Sequence, residues 1–191
     1  TITKEQRDNL TIIKESGNYL LNLINDILDF SKIESDKIEI VENKFCLNKF
    51  LNHLYSLFLI KSREKSIFFN KIFHQNTAII VKGDDFRINQ ILTNILGNAF
   101  KFTEKGEIIF SCKYENNKAV ITISDTGIGI PQEKLNDIFD SFKQADSSIS
   151  RKYGGTGLGL SISKRLIDLM NGEIMVSSEL NKGTEFTIIL P

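Results

Sequence analysis

The chain has 191 residues, of which 24 are Lys or Arg and 24 are Asp or Glu, so its formal net charge is zero. A nucleic-acid binder normally needs a basic face that neutralises phosphates, and the balanced charge argues against that class. The content of 41% hydrophobic and 25% charged residues is typical of a globular protein. No apolar run approaches the ~20 residues that span a bilayer, and the polar first residues do not resemble a signal peptide.

The first 35 residues have the pattern of one long amphipathic helix. Apolar residues recur at steps of three and four, as in a heptad seam, and a second row widens the stripe. The seam consists of Leu10, Ile13, Gly17, Leu20, Ile24, Ile27 and Ser31, and the second row of Leu21 and Leu28. A helix cannot bury such a stripe alone. Self-association in a helical bundle is favoured over packing against the globular part of the same chain.

From residue 37 onwards, short strands and helices alternate. A strand is predicted at residues 37–41, a helix at 48–61 capped by Asn48, and a helix from about 132 to 139. The other strands are predicted at 67–73, 78–81, 107–114, 119–125, 173–178 and 184–190, and the other helices after Asp84 or Asp85 and at about 158–170. Hairpin-linked strands favour an α+β fold, a two-layer sandwich with one mixed β-sheet, preceded by the long N-terminal helix. The two cysteines, Cys46 and Cys112, are expected to be free and buried.

Three glycine clusters lie in the C-terminal half of the chain. Residues 125–131 (DTGIGIP) follow a predicted strand, residues 154–160 (GGTGLGL) precede a helix, and residues 182–184 join the last two strands. Glycine lets backbone N–H groups approach an anion, and a helix N-terminus adds a favourable dipole. The sequence contains neither a P-loop signature nor the dinucleotide fingerprint after a strand, which argues against both of those nucleotide folds.

Polar residues upstream of the glycines complete a larger pattern. Asn94 and Asn98 are four residues apart and share one helical face, and amide oxygens are hard, neutral ligands suited to Mg²⁺. With the glycine clusters, this segment resembles the sensor histidine kinase family, within the superfamily that includes gyrase B and MutL. The matching segments are residues 94–103 (N box), 125–131 (G1 box), 138–142 (F box), 154–160 (G2 box) and 183–186 (the closing turn). The F box departs from the family by lacking its proline.

The resemblance implies a Bergerat-type ATP site. Asp125 is expected to accept a hydrogen bond from the exocyclic amine of adenine, where guanine has a carbonyl. Gly127 and Gly129 are expected to let the backbone pass close to the base. Thr184 is expected to assist at the adenine through a water.

For the phosphates, the resemblance implies that Asn98 ligates Mg²⁺, Asn94 supports the phosphates or the metal shell, and Lys101 meets phosphate charge. Residues 140–156 are expected to form a mobile lid, with Phe142 closing over the pocket and Arg151 reaching the γ-phosphate. The phosphate cradle is expected to include Gly155, Thr156, Gly157, Leu158, Gly159 and Leu160. Simpler roles stay open: Asn94 as a cap, Lys101 in solvent, and Arg151 paired with a surface carboxylate.

The first segment resembles the second helix of a dimerisation and phosphotransfer domain, which predicts domains at residues 1–36 and 37–191. In this family, a histidine on the first dimerisation helix accepts the phosphate, and that helix is expected to precede residue 1. His53 and His74 lack the acidic neighbour of such an acceptor and are expected to be ordinary surface or core-edge residues.

The resemblance therefore implies the core of a protein-histidine kinase in two-component signal transduction. A homodimer through the N-terminal helix and a response-regulator receiver domain are the expected partners. The expected location is the cytoplasm, with a parent protein that can be membrane-anchored.

Two other functions compete with the kinase. A gyrase- or MutL-type ATPase needs a carboxylate one helical turn before the Mg²⁺-binding asparagine to activate water. That position is Asn94, whose amide cannot act as a base. A non-catalytic ATP-binding scaffold that only dimerises has no need of the lid and the glycines.

Overall fold

The computed structural model describes residues 2–35, 37–73, 78–141 and 157–191, and the chain divides into two compact units, Thr1–Ile38 and Glu39–Pro191. The first unit contains helix α1 (Lys4–Glu34), which confirms the predicted long helix. A capping box starts it, because the hydroxyl of Thr3 accepts from the Gln6 amide while the Gln6 side chain accepts from the Thr3 amide.

The apolar rows of α1 face solvent in this single chain. Between 44% and 67% of the surface is exposed at Leu10, Ile13, Leu20, Leu21, Ile24, Ile27 and Leu28. No close packing surrounds Gly17 either, since a Cβ there would meet no atom within 4 Å. Within the described ranges, no helix has the length and apolar content that crossing a bilayer requires.

The second unit contains an α+β fold. Its elements are β1 (Asn43–Cys46), α2 (Leu47–Lys65), β2 (Phe68–Phe73), β3 (Ile80–Gly83), α3 (Asp85–Phe102), β4 (Glu107–Glu115), β5 (Lys118–Asp125), a 3₁₀ turn (Gln132–Lys134), α4 (Gly159–Leu169), β6 (Glu173–Glu179) and β7 (Gly183–Leu190). The main sheet has the strand order β2-β4-β5-β7-β6, with β2 parallel to β4 and the other pairs antiparallel. The predicted mixed sheet is therefore confirmed, and β1 pairs with β3 in a separate two-stranded sheet.

The core lies between one face of the main sheet and the helices. Alternate residues of β4 and β5 point into it, so that Ile108, Phe110, Ile121 and Ile123 are at most 1% exposed. Helix α3 contributes its whole apolar stripe to the same core. Because strand residues alternate, the polar residue that ends the inward row of β5, Asp125, is buried with them.

Two local predictions hold because short-range geometry determines them. The β4–β5 hairpin turns through Asn116 and Asn117, both at positive φ (52° and 60°), as a two-residue type I′ turn requires. Helix α4 stops at Asn171 (φ 55°) and Gly172, whose amide donates to the Ile167 carbonyl at 2.9 Å. This is a Schellman motif with asparagine in the left-handed position.

Three predicted elements differ from the structure. Residues 37–41 form no strand, because β3 offers partners only to Asn43–Cys46, and the Val41 amide donates to the Asp84 carboxylate instead. Asn48 does not cap α2, which begins one residue earlier, after Cys46 and without a side-chain cap. The predicted helix at 132–139 is only a 3₁₀ turn followed by turns, and its apolar residues are half-buried, so burial adds less to the stability of a helix there.

The cysteines differ from each other. Both are free, but only Cys112 is buried, whereas Cys46 is half-buried, so the prediction holds for one of the two. Burial raises the pKa of the Cys112 thiol to about 12. His53 lies exposed on α2, which agrees with an ordinary surface residue, while His74 lies outside the described residues.

Candidate nucleotide-binding site

Asp125 is a buried carboxylate at the C-terminal end of β5, 9% exposed. Burial raises the pKa of this carboxyl, because desolvation disfavours the charged form. Hydrogen bonds offset part of that rise: the Gly127 amide donates to its Oδ1 at 2.8 Å, and the Thr184 amide also donates to the carboxylate. A buried acid that keeps acceptor capacity beside a cleft is suited to bind a donor group of a ligand.

The residue that follows α3 adds a second buried polar group at this site. Thr103 is fully buried and lowers the pKa of Asp125, yet its hydroxyl has no hydrogen bond of normal geometry within the described residues. The carbonyl of the preceding residue, Phe102, accepts from the Ile128 amide at 3.2 Å. The end of α3 is thereby joined to the glycine-containing turn after β5. The motifs predict no role for Thr103, although it closes the N-box segment.

The turn at residues 125–131 is attached to the turn between β6 and β7. The Asn181 amide donates to the Ile128 carbonyl, and the Ile130 amide donates to Ser178 Oγ, both at 2.8 Å. Gly129 (φ 67°) allows this contact, because a Cβ there would overlap the backbone oxygen of Glu179. At Gly129 the structure thus shows close approach of two turns of the protein, and the predicted approach of the backbone to the base stays a prediction.

Gly183 and Thr184 bring the closing turn against Asp125. Gly183 has φ 118°, and a Cβ there would overlap the Asp125 backbone oxygen. Thr184 pairs directly with Asp125 across β5 and β7, and its hydroxyl lies 2.9 Å from Ser178 Oγ. An open cleft of roughly 540 Å³ lies at this end of the sheet; it is lined by Asp125, Ser178 and Thr184 and also by residues from the outer face of the same strands, Ser124, Ser177 and Glu185. Four predicted residues, Asp125, Gly127, Gly129 and Thr184, thus come together at one end of the sheet.

The three predicted residues of α3 differ in what their side chains contact. The Asn94 amide donates to Ser163 Oγ of α4 at 3.0 Å and lies against Gly159, where a Cβ would overlap it. Asn98 is half-buried, and no hydrogen bond within the described ranges uses its side chain. Burial lowers the pKa of Lys101, whose Nζ lies 4.9 Å from the Phe102 ring centroid. The structure therefore gives Asn94 a bridging role between two helices that the sequence did not predict.

The start of α4 carries part of the predicted phosphate cradle. Gly157 has φ 73°, Leu158 is buried, and the helix begins at Gly159, followed by the half-buried Leu160. No side chain of the described residues caps this N-terminus. The amides and the dipole of a helix N-terminus favour an anion, which agrees with the predicted phosphate role of this segment. The remaining predicted site residues, Phe142, Arg151, Gly155 and Thr156, lie outside the described residues.

Three polar residues of the site were missed by sequence reasoning: Thr103, Ser163 and Ser178. The signal for Ser178 was present, because it continues the inward row of β6 after two apolar residues, Ile174 and Val176. A buried polar side chain in an apolar row needs a partner. For Ser163 the partner is 69 residues away along the chain, and no local pattern indicates it.

Comparison with known proteins agrees with this geometry. Residues 83–191 match the family described as "Histidine kinase-, DNA gyrase B-, and HSP90-like ATPase", and residues 2–36 match the His Kinase A (phospho-acceptor) domain. The hybrid signal transduction histidine kinase B of Dictyostelium discoideum is 45% identical over all of this chain, which covers 10% of that protein. The signal transduction histidine-protein kinase BarA of Escherichia coli K12 is 41% identical over 97% of the chain, covering 21% of BarA.

A solved structure gives the same result in three dimensions. Full-length ShkA in complex with AMPPNP superimposes with a TM-score of 0.82 at 33% identity, over 100% of this chain and 40% of ShkA. The histidine kinase ThkA in complex with the response regulator TrrA aligns with a TM-score of 0.73 at 25% identity, over 100% of this chain and 52% of that one. The chain thus spans only part of these proteins. It belongs to the histidine kinase-, gyrase B- and HSP90-like ATPase family and has the ATP-binding kinase core of a sensor histidine kinase.

Proposed function

We propose that this core binds the adenine of ATP at Asp125 and transfers the γ-phosphate to a histidine on a dimerisation helix. The observation that carries the proposal is the buried Asp125 carboxylate, held between two interlocked turns. The exocyclic amine of adenine donates to a carboxylate, whereas the carbonyl of guanine presents lone pairs to it. The low exposure of Asp125 strengthens this discrimination, because water competes little for the carboxylate.

Mg²⁺ is the metal that we propose for the phosphates, and Asn98 fits it. Its amide is half-buried, and within the described ranges no other group uses it. An amide oxygen is a hard ligand that leaves the remaining positions of an octahedral ion to phosphate oxygens and water. When bound, Mg²⁺ would neutralise charge that develops on the phosphates. Lys101 and the N-terminus of α4 would add positive potential for the phosphates.

Transfer is favoured over hydrolysis by the chemistry of Asn94. An amide cannot take a proton from water, and this one already donates to Ser163 at 3.0 Å. The residue therefore holds α4 in place and does not act as a base. The γ-phosphate would then pass to a nucleophile that another segment supplies, assisted by positioning and charge neutralisation.

We infer that the phosphate acceptor and the partners come from outside this chain. The two histidines, His53 and His74, have no acidic neighbour in sequence. The exposed rows of α1 suit a homodimeric helical bundle. The complex of ThkA with TrrA supports a response-regulator receiver domain as the partner that takes the phosphate onward. Because the substrate is ATP, we place the core in the cytoplasm.

Calorimetric titration with a non-hydrolysable ATP analogue tests the adenine contact. We expect Asp125→Asn to weaken binding by about 2 kcal/mol, because one acceptor is exchanged for a group that can present a donor. Asp168→Asn is the matched control, since that carboxylate is in a surface ion pair with Lys164. Equal affinity of Asp125→Asn and the control would remove Asp125 from the site.

The metal assignment has a separate test. Asn98→Ala should weaken binding of the Mg²⁺–nucleotide complex more than binding of metal-free nucleotide. Asn89→Ala, an exposed asparagine on the same helix, is the control and should change neither. Equal weakening of both forms in Asn98→Ala would mean that the residue supports folding and not the metal.

Incubation with γ-labelled ATP tests the transfer reaction. The chain alone should remain unlabelled, while an added partner that carries the first dimerisation helix, with its histidine, should gain acid-labile label. Asp125→Asn should slow that transfer at low ATP concentration and should regain it at higher ATP, because the substitution weakens binding of the nucleotide. Acid-labile label on the chain alone would identify His53 or His74 as an acceptor and contradict the proposal.

A further inference from the structure

Ser178 occupies the inward position of β6 directly opposite Thr184 on β7. It is 7% exposed, and it stands where the inward row of this strand otherwise carries Ile174 and Val176. The same residue also joins the neighbouring loop, since the Gln132 side chain donates to its carbonyl at 2.6 Å. A buried hydroxyl at such a position is costly unless it is hydrogen-bonded, so the partners of Ser178 decide what it contributes.

The Ser178 hydroxyl has three neighbours and only one proton. The Ile130 amide donates to Ser178 Oγ at 2.8 Å, and the Gly183 carbonyl lies 2.8 Å from the same oxygen. A carbonyl can only accept, so the serine proton goes to Gly183. The third neighbour, Thr184 Oγ1 at 2.9 Å, must then be the donor. The reverse arrangement would deprive the buried Gly183 carbonyl of this hydrogen bond.

The direction of that proton decides what Thr184 offers to the cleft. With its hydroxyl proton turned toward Ser178, Thr184 presents only lone pairs to a ligand. Asp125, its pairing partner on β5, also presents acceptor capacity. Two acceptors lie side by side, so a ligand that fits them must supply donors. An exocyclic amine has two N–H groups, whereas a carbonyl at the same position has none.

We propose that Ser178 is a specificity-determining residue that holds the Thr184 hydroxyl as an acceptor and so selects a 6-amino over a 6-oxo purine. The inference rests on the proposed ATP site. It adds a residue that does not touch the base and acts through Thr184.

Binding of ATP and inosine triphosphate to Ser178→Ala tests the inference. Inosine triphosphate carries a carbonyl at C6 but keeps an N1–H group that can donate to the Asp125 carboxylate. A change in its affinity therefore reports on the contact between Thr184 and the C6 carbonyl. Without Ser178, the Thr184 hydroxyl is free to donate to that carbonyl. We expect the ATP preference, measured as the ratio of dissociation constants, to fall about two- to tenfold, the size of effect that one hydrogen bond carries.

The control is Ser111→Ala on β4, which removes a serine from the opposite face of the same sheet and should leave the ratio unchanged. In the double variant Ser178→Ala with Thr184→Val, the improvement in inosine triphosphate binding should be lost, because the Thr184 hydroxyl that would donate to the carbonyl is absent. A ratio in Ser178→Ala equal to that of the unmodified chain would overturn the inference while leaving ATP binding itself intact. If the unmodified chain bound no ATP, the proposed function and this inference would both fall.

A second variant keeps the inference testable if Ser178→Ala does not fold. Thr184→Val should weaken ATP about two- to tenfold but leave purine riboside triphosphate, which has no 6-amino group, unaffected. Comparable weakening of both nucleotides would mean that Thr184 donates to a ring nitrogen, and the assignment of Ser178 would be wrong. Circular dichroism of each variant, measured before titration, shows that it is folded.

Discussion

Helices α1 and α3 have the same kind of sequence and opposite surroundings. Both begin with a side-chain cap, from Thr3 and Asp84, and both carry apolar residues at helical spacing. The stripe of α3 is buried, with Leu96 at 0% exposure, whereas Leu20 and Ile24 of α1 are 56% and 44% exposed. A periodic apolar stripe therefore shows that a helix needs a partner. Whether the chain itself supplies that partner depends on which elements pack against the stripe.

Truncation of one leucine in each helix gives the largest contrast. Leu96→Ala should lower the free energy of unfolding by about 2–5 kcal/mol, because it removes packed methyl groups and leaves a cavity. Leu20→Ala, at a concentration where the chain is monomeric, should stay within about 0.5 kcal/mol. Urea unfolding measures both. Similar losses in the two variants would show that α1 is packed in the monomer and would remove the contrast.

Removal of the α3 cap should lower the free energy of unfolding more than removal of the α1 cap. Asp84 accepts from the Arg87 amide and from the Val41 amide, each at 2.9 Å, and is 4% exposed. Asp84→Ala leaves two donors unpaired in the folded unit and should cost about 2–3 kcal/mol. Thr3→Ala breaks a solvent-exposed cap, which is worth about 1 kcal/mol or less. Urea unfolding measures both variants. A larger loss in the free energy of unfolding for Thr3→Ala than for Asp84→Ala would contradict the contrast between the two helices.

Self-association should depend on the exposed rows of α1. Replacing Ile24 and Ile27 together with Gln should weaken any dimer at least about tenfold, since burial of one such side chain contributes about 1.5–3 kcal/mol. Lys14→Gln, on the same helix outside the rows, is the control. Sedimentation equilibrium over a range of concentrations measures the effect. Unchanged association of the Gln variant would show that another surface mediates it.

The smallest expected effect concerns a polar group that the core buries. Burial holds the pKa of Asp125 above its unfolded value of about 3.9. The folded chain therefore binds this proton more tightly than the unfolded chain. The free energy of unfolding should fall as the pH rises from about 4 through the raised pKa. In Asp125→Asn that part of the decline should disappear, and urea unfolding from pH 4 to 8 compares the two; parallel pH profiles would argue against a buried, titrating carboxylate.

Much of the fold could be predicted because its signals are local. The apolar period of α3, the Asn116-Asn117 hairpin and the Asn171-Gly172 stop each depend on backbone preferences within a few residues. The strand at residues 37–41 failed for the opposite reason. Its alternating pattern suits a strand, but the short β3 offers no partner at that register, and the Asp84 carboxylate takes the Val41 amide instead.

The same difference between local signals and long-range contacts applies to the candidate site. The motifs placed Asp125, Gly127, Gly129 and Thr184 in one predicted site, and the structure brings those residues together. The motifs did not indicate that the Asn94 amide is bonded to Ser163, 69 residues further along the chain. They also gave no direction to the hydroxyl proton of Thr184, because its neighbours come from separate loops.

By itself the sequence determined most of the helices and strands, the family and the residue types available to a nucleotide. Only the tertiary structure decided which apolar stripe is buried, which carboxylate loses its water and which hydroxyl donates. Period, capping and turn geometry are short-range effects, and a single segment can satisfy them. Burial and hydrogen-bond direction depend on groups that meet only after the sheet has formed. A hydroxyl has one proton, and which neighbour accepts it depends on the groups that other strands and loops bring next to it.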